Sequence, residues 1–263
     1  MLVLSQGPST CGRLAFGTEP SAAYNRCIES AKGSFIAFLD DDDVYEPWHL
    51  AQFAEAHHRH PDGQFFASRA WLWDPVTGHK RLMPGFNPAT LAQDALVSTV
   101  IVPQEMLVAR SALLEVGGFP EDRALMGAED WLLLIKLSQR FRAVKLSRPS
   151  LRVREHPGRS MNNLDVINRS RDAAARVVLE GPLGAELDSR SRQLVAAGTH
   201  RFVAGHLYAM GRMGQARARL AQARRELGPV EGQLWTARLW VQTWLGQAGS
   251  AALRRLKRRL LWR

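Results

Sequence analysis

Four consecutive carboxylates, residues 40–43, follow a short apolar run. Residues 35–39 contain no Gly or Pro and predict a strand that is buried on both faces. Near a protein surface, two like charges about 4 Å apart repel by roughly 4 kcal/mol at an effective dielectric constant near 20, so this acidic group needs a cation or water. Since open α/β sheets bind ligands at the carboxyl ends of their strands, the pattern favours a hard divalent cation with phosphate partners. The alternative is a solvated acidic turn before a helix, with an Asp as N-cap and Pro47 in the first turn.

A second acidic pair, Glu129-Asp130, precedes apolar residues at helical spacing, namely Leu132, Leu133 and Ile135. Negative charge is favourable at a helix N-terminus, so the pair could simply complement that terminus. This explanation accounts for the sign of the charges but not for their position downstream of another acidic group and a Gly-Gly-Phe sequence. We expect an Asp beside a helix N-terminus to stay ionised at neutral pH.

The first acidic group lies in a longer motif. Residues 25–50, NRCIESAKGSFIAFLDDDDVYEPWHL, resemble the RNxGI–xxAxG–xxIxFLDxDD–xxxPxxL signature of family 2 glycosyltransferases of the GT-A fold, which transfer a sugar from a nucleotide donor with inversion. One departure is Cys27, where the family usually has Gly. Three later segments also resemble the family: LVARSALLEVGGF at 107–119, GAEDWLLLIKL at 127–137 and REHPGRSM at 154–161.

The resemblance implies a metal site. The DxD element of the family falls on Asp40 and Asp42, and Asp42 would be the main ligand of Mn²⁺ or Mg²⁺. Asp40 or Asp41 would contact the ribose of the donor or the metal shell. His156 occupies a position that the family often uses on the metal or the diphosphate, although a lone His is more often structural.

The resemblance also implies the residues that carry out the transfer. Asp130 would be the general base that removes the proton from the acceptor hydroxyl. The predicted donor-binding and acceptor-binding residues are Asp41, Glu129, Trp131, Gly118 and Arg159. Gly118 belongs to the turn under the acceptor site, and the Arg159 guanidinium suits a diphosphate, although a solvent-exposed role is an equal alternative.

The resemblance implies an α/β fold, a GT-A (Rossmann-like) mixed sheet, and the helical spacing of the later residues predicts an α-helical C-terminal appendage. Besides residues 35–39, the patterns predict strands at 64–73, 97–102 and 141–153. Residues 1–24 lack the opening strands and helix with which the family holds the nucleotide base, so we expect an N-terminally truncated domain or a remodelled donor pocket. The predicted divisions are a partial glycosyltransferase domain at 1–161, a linker helix at 162–184, and a helical appendage at 185–263 with a basic amphipathic tail.

The tail holds most of the net charge. Residues 232–263 contain seven cations and no acid, whereas the whole chain has a formal charge of +10. Four of the eight tryptophans lie in the same segment. Trp and Arg favour the headgroup level of a bilayer, so we expect the tail to bind an anionic membrane surface rather than nucleic acid. The alternatives are tryptophans that pack on the helical hairpin at 193–227 and arginines that are merely solvated.

Two cysteines without metal-ligand spacing support neither a disulfide framework nor a zinc site, and no apolar run approaches the length of a membrane span. The expected location is cytoplasmic, peripheral at the inner face of the cytoplasmic membrane. The expected activity is metal-dependent, inverting transfer from a nucleotide sugar, a UDP-sugar, to a glycan or a lipid-linked acceptor. The alternative is an inactive remnant of such an enzyme that acts as a membrane-associated scaffold.

Overall fold

The computed structural model describes residues 2–4, 20–156 and 163–261. The chain forms two compact units. The N-terminal unit comprises Met1–Ala95 and Thr99–Asn163, and the helical unit comprises Leu96–Ser98 and Leu164–Arg263.

The N-terminal unit contains all the strands of the described residues. They are β1 (Leu2–Leu4), β2 (Phe35–Leu39), β3 (Val44–Tyr45), β4 (Phe65–Ala67), β5 (Ala70–Trp73), β6 (Lys80–Leu82), β7 (Met106–Ala109), β8 (Ala143–Lys145) and β9 (Leu151–Arg154). The helices that begin before residue 160 are α1 (Pro20–Ser30), α2 (His49–Arg59), α3 (Leu91–Val97), α4 (Arg110–Glu115) and α5 (Glu129–Arg140). The fold is therefore mixed α/β, as predicted.

The first sheet has the strand order β1-β2-β7-β4-β8. Strand β7 is antiparallel to both β2 and β4, and β8 is parallel to β4. Strands β2, β4 and β8 thus run in the same direction, and their carboxyl ends share one edge of the sheet. Ile36, Ala37 and Phe38 are fully buried, which confirms the prediction that β2 is covered on both faces.

The second sheet has the order β3-β9-β5-β6, and β5 and β9 are parallel. Ala70, Leu151 and Val153 form its buried core, and Tyr45 packs against them. Because side chains alternate between the two faces of a strand, the intervening residues of β5 and β9 lie on the opposite face. That face carries Trp71, Trp73, Arg152 and Arg154.

Three of the predicted strands are wrong in extent or type. Residues 64–73 and 141–153 each supply strands to both sheets, β4 with β5 and β8 with β9. The chain leaves the first sheet at Ser68, whose N–H donates to Glu105 O, and the second crossing contains Pro149, which has no N–H to continue a ladder. Residues 97–102 form no strand, because the helical spacing of Leu91 and Ala95 carries α3 through Val97.

The helical unit contains α6 (Leu164–Glu180), α7 (Pro182–Glu186), α8 (Ser189–Ala209), α9 (Met213–Leu227) and α10 (Pro229–Leu261). Helices α8 and α9 form the predicted hairpin. Gly246 interrupts α10 with φ 65° and ψ −177°, so α10 consists of two helical parts. Among the described residues, no helix combines the length and the apolar character that a membrane crossing requires.

Candidate active site

Three carboxylates meet at the carboxyl end of β2. Asp40, Asp42 and Asp43 each offer one oxygen atom, and these atoms lie within 4.8 Å of one another. The two Asp residues of the predicted DxD element are thus brought together, and Asp43 joins them. Asp41 is exposed. The cluster lies at the edge of the sheet where the carboxyl ends of β2, β4 and β8 meet. Ligands bind at this edge in open α/β sheets.

Two neutral donors hold the Asp40 carboxylate. The Tyr24 hydroxyl, from α1, donates to Oδ1 at 2.7 Å, and the Gln104 side-chain amide donates to Oδ2. Burial raises the pKa of Asp40, and the nearby Asp42 charge adds to this effect, whereas the two hydrogen bonds oppose it. Tyr24 is itself fixed by its ring, which stacks on Phe119 with 4.6 Å between ring centroids.

The end of β9 contacts the other two carboxylates. The backbone N–H of Arg154 donates to Asp43 Oδ1 at 3.0 Å, and its side-chain Nε donates to the carbonyl oxygen of Asp42 at 3.0 Å. His156 Nε2 lies 2.9 Å from Asp42 Oδ2. The structure therefore places His156 beside the main predicted metal ligand, although 114 residues separate the two in sequence.

Asp130 lies in the first turn of α5, next to Glu129. Burial raises the pKa of the Asp130 carboxyl well above its ordinary value, and the charges of Glu129 and Asp40 raise it further. The pKa therefore moves in the direction opposite to that expected for an Asp at a helix N-terminus, because desolvation and two neighbouring carboxylates dominate. Asp130 is thus close enough to Asp40 for the charge of Asp40 to affect its pKa. The Glu129 side chain accepts a hydrogen bond from the backbone N–H of Gly127.

Two of the other predicted binding residues, Trp131 and Gly118, are buried. Trp131 is 1% exposed, and its indole N–H donates to Ala95 O at 2.6 Å, so its ring is part of the core. Gly118 is buried in a left-handed turn with φ 58°, and its carbonyl oxygen accepts from Lys136 Nζ at 2.6 Å. Arg159 lies outside the described residues.

Sequence reasoning missed Tyr24, Gln104 and Arg154. Tyr24 and Gln104 are 16 and 64 residues from Asp40 in sequence, and neither belongs to a motif with recognisable chemistry. Arg154 opens the segment 154–161, so its place in a motif was a signal that it lies near the acidic cluster. The site thus contains a group of carboxylates that is suited to a cation. Asp130, whose proton affinity is raised, lies nearby.

Comparison with known proteins finds one family and several similar structures. Residues 12–117 match the family described as glycosyl transferase family 2. The structure is similar to that of S. aureus TarS 1-349 in complex with UDP-GlcNAc, with a TM-score of 0.58 and 16% identity over 90% of this chain and 70% of that one. The complex of the same TarS fragment with UDP gives a TM-score of 0.52 and 16% identity, over 88% and 67%.

A longer TarS structure gives a TM-score of 0.51 and 18% identity, and there the match covers 80% of this chain but 37% of that one. At these identities the likeness shows a shared fold of the GT-A type. No curated protein sequence matches the chain.

Proposed function

We propose that this chain, whose residues 12–117 match the glycosyl transferase family 2 model, transfers a sugar from a nucleotide-sugar donor to an acceptor hydroxyl with inversion. The observation that carries the proposal is the meeting of Asp40, Asp42 and Asp43 at one sheet edge, with Asp130 close enough for the charge of Asp40 to raise its pKa. These residues come from two of the segments that resemble the family. A donor of the UDP-sugar class is proposed because two of the similar structures hold UDP-GlcNAc and UDP.

The acidic cluster fits the divalent cation that this family often uses. Carboxylate oxygens are the ligands that Mg²⁺ and Mn²⁺ prefer, and three of them within 4.8 Å repel one another unless a cation is present. We assign Asp42 as the main ligand, with Asp40 and Asp43 beside it and His156 either as a further ligand or as the partner that orients Asp42. A bound Mn²⁺ or Mg²⁺ would neutralise the negative charge of the departing diphosphate.

Asp130 serves as the general base. Catalysis by a general base is most efficient when its pKa lies near the working pH, and burial shifts the pKa of Asp130 in that direction. Asp130 would accept the proton of the acceptor hydroxyl as its oxygen attacks the anomeric carbon in line with the departing diphosphate. Tyr24 and Gln104 meanwhile hold Asp40 in place through neutral hydrogen bonds.

The test is sugar transfer and donor hydrolysis with UDP-sugars and Mn²⁺ by the wild type, Asp42→Ala and Asp130→Asn. We expect the rate of transfer to fall at least about 100-fold in both variants. This is the low end of the contribution that a general base makes to catalysis. Asp62→Asn is the matched control, because Asp62 is an exposed acid in the loop after α2. Equal rates in all four proteins would sink the assignment. If the wild type neither binds UDP nor shows any turnover, an inactive remnant that acts as a scaffold would be favoured.

We further propose that the protein is peripheral at the inner face of the cytoplasmic membrane, where it would act on a glycan or lipid-linked acceptor. In support, one side of α10 exposes large apolar side chains: Val230 is 73% exposed, Leu234 77%, Val241 52% and Trp244 67%. Trp235, by contrast, packs against the hairpin core of Ala197, Ala223 and Leu227. The tail after residue 249 adds six cations and no acid, and each cation near an anionic leaflet contributes about 1 kcal/mol.

Co-sedimentation with vesicles tests this location. We expect binding to phosphatidylglycerol vesicles but not to phosphatidylcholine vesicles, with weaker binding as salt rises. Leu234→Ser should reduce the bound fraction, whereas Val76→Ser should not, because Val76 is 91% exposed but belongs to the N-terminal unit. Deletion of residues 249–263 should abolish binding. Binding that ignores lipid charge, or tighter binding to RNA, would contradict the membrane proposal.

A further inference from the structure

One face of the second sheet combines indole rings with cations. Trp71 and Trp73 of β5 lie on this face with Arg152 and Arg154 of β9, because Trp71 pairs with Arg152 and Trp73 with Arg154. Strand β6 adds Lys80, which lies opposite Trp73. These five side chains, which we call the Trp–Arg face, lie on the opposite side of the sheet from the core residues Ala70, Leu151 and Val153.

Two arginines of the Trp–Arg face lie over the Trp73 ring. The guanidinium carbons of Arg152 and Arg154 lie 5.1 and 5.5 Å from the centre of the Trp73 ring. Glu46 is the acid that partners this face, at 3.2 Å from Arg152 and 3.7 Å from Lys80. Arg152 and Lys80 share the single carboxylate of Glu46, so this part of the face carries net positive charge. Arg154 lies nearer to Asp42 and Asp43. Both indoles and both arginines are half-buried, and Lys80 is exposed.

The Trp–Arg face continues into the active site. Arg154 holds Asp42 and Asp43 through the two hydrogen bonds described above, while its guanidinium also packs on Trp73. A ligand that lies on Trp73 is therefore one side chain away from the acidic cluster. Along a strand, residues two apart are separated by roughly 7 Å, so Trp71 and Trp73 offer two successive ring-sized contact points that lead toward the cluster.

Resting on the proposed glycosyl transfer, we propose that the Trp–Arg face binds the acceptor, and that this acceptor is an anionic saccharide chain. Indole rings provide large, rigid apolar surfaces for the C–H faces of sugar rings. Arg guanidinium groups pair with carboxylates or phosphates through two parallel hydrogen bonds, and Lys80 adds a further positive charge. A neutral glycan would use the indoles and leave this charge unmatched, so the face selects for chains that carry acid groups.

Binding is measured by calorimetry without any donor, so that the result does not depend on transferase activity. The probes are a short oligogalacturonate, a phosphodiester-linked oligosaccharide and a neutral galacto-oligosaccharide. We expect the wild type to bind at least one anionic probe about tenfold more tightly than the neutral one, with affinity that falls as salt rises. The two anionic probes distinguish a carboxylate-bearing chain from a phosphate-bearing one.

Matched variants locate the binding. Lys80→Gln should weaken binding of the anionic probe about threefold to fivefold, whereas Arg81→Gln, which removes the same charge from the opposite face of β6, should change it less than twofold. Trp73→Ala should weaken binding about tenfold, and Trp73→Phe should retain most of it. Thermal unfolding checks that each variant is folded. If Trp73→Ala does not fold, the single variants Trp73→Phe and Lys80→Gln still test the proposal.

Equal loss in Lys80→Gln and Arg81→Gln, or equal affinity of the wild type for neutral and anionic probes, would overturn the Trp–Arg face as the acceptor site. Charge-selective binding that depends on Trp73 would support it even if the wild type transferred no sugar. In that case the proposed catalytic function fails and the binding inference stands.

Discussion

Replacing Gly118 by Ala should disturb the active site through a single side chain, and Gly117 provides the matched control. Both glycines have left-handed backbones, with φ 58° at Gly118 and φ 71° at Gly117. A Cβ atom at Gly118 would lie 2.3 Å from Asn25 Oδ1, whereas one at Gly117 would meet nothing within 4 Å. The two substitutions therefore share the backbone strain and differ in whether Asn25 must move.

The magnitude follows from the two hydrogen bonds that Asn25 makes with the backbone of Phe119. A left-handed non-glycine residue costs about 1–2 kcal/mol. Asn25 accepts a hydrogen bond from Phe119 N and donates one to Phe119 O, each 2.8 Å long, and a protein hydrogen bond contributes about 0.5–1.5 kcal/mol. Gly117→Ala should thus lower the free energy of unfolding by about 1–2 kcal/mol, and Gly118→Ala by about 2–5 kcal/mol.

Urea unfolding followed by circular dichroism measures both losses. The double variant Asn25→Ala with Gly118→Ala should lose less than the sum of the single variants, because the clash disappears with the Asn25 side chain. Gly118→Ala should also weaken Mn²⁺ binding, since Phe119 stacks on Tyr24, which donates to Asp40. Equal losses for Gly117→Ala and Gly118→Ala, or strict additivity in the double variant, would refute the reasoning.

Two further predictions concern pH. Burial and the charges of Glu129 and Asp40 raise the pKa of Asp130 in the folded state. Ionisation of Asp130 therefore destabilises the fold as the pH rises above the ordinary Asp range. Without metal, we expect Asp130→Asn to raise the melting temperature at pH 8 but not at pH 4. Burial raises the pKa of Glu105 to about 7, so the stability that it contributes is present below pH 4.5 and is lost as the pH rises through 7. In the wild type, this effect should lower the free energy of unfolding by up to about 3 kcal/mol between pH 4.5 and pH 8. Glu105→Gln should remove that difference, which urea unfolding at the two pH values measures. A stability difference from the wild type that stays constant with pH would contradict either prediction.

The sequence predicts the parts of the site whose chemistry is local. The buried run of β2 and the acids after it lie next to each other in the chain, so their placement at a strand end needs no knowledge of the rest of the fold. The Glu129-Asp130 pair lies at the predicted helix start for the same reason. His156 and Asp130 could be assigned to this site because their segments resemble one family.

The remaining features depend on contacts between distant segments. Nothing local to Tyr24 or Gln104 indicates that both side chains converge on Asp40. Residues 64–73 are divided between two sheets because β4 pairs with strands of the first sheet and β5 with strands of the second. The pattern of apolar residues would be the same if they formed one continuous strand. The raised pKa of Asp130 likewise depends on burial, which a helix position alone does not reveal.

The donors that hold Asp40 add no positive charge to the cluster. Asp40 accepts from a phenol and an amide, which fix its two oxygens in place but add no positive charge. The Arg154 side chain approaches the cluster through the backbone carbonyl of Asp42, and its backbone N–H is what binds the Asp43 carboxylate. A Lys or Arg at position 24 or 104 would neutralise Asp40 and remove much of the attraction for a divalent cation. Asp40 therefore obtains its geometry from neutral hydrogen bonds and keeps its charge for the ligand.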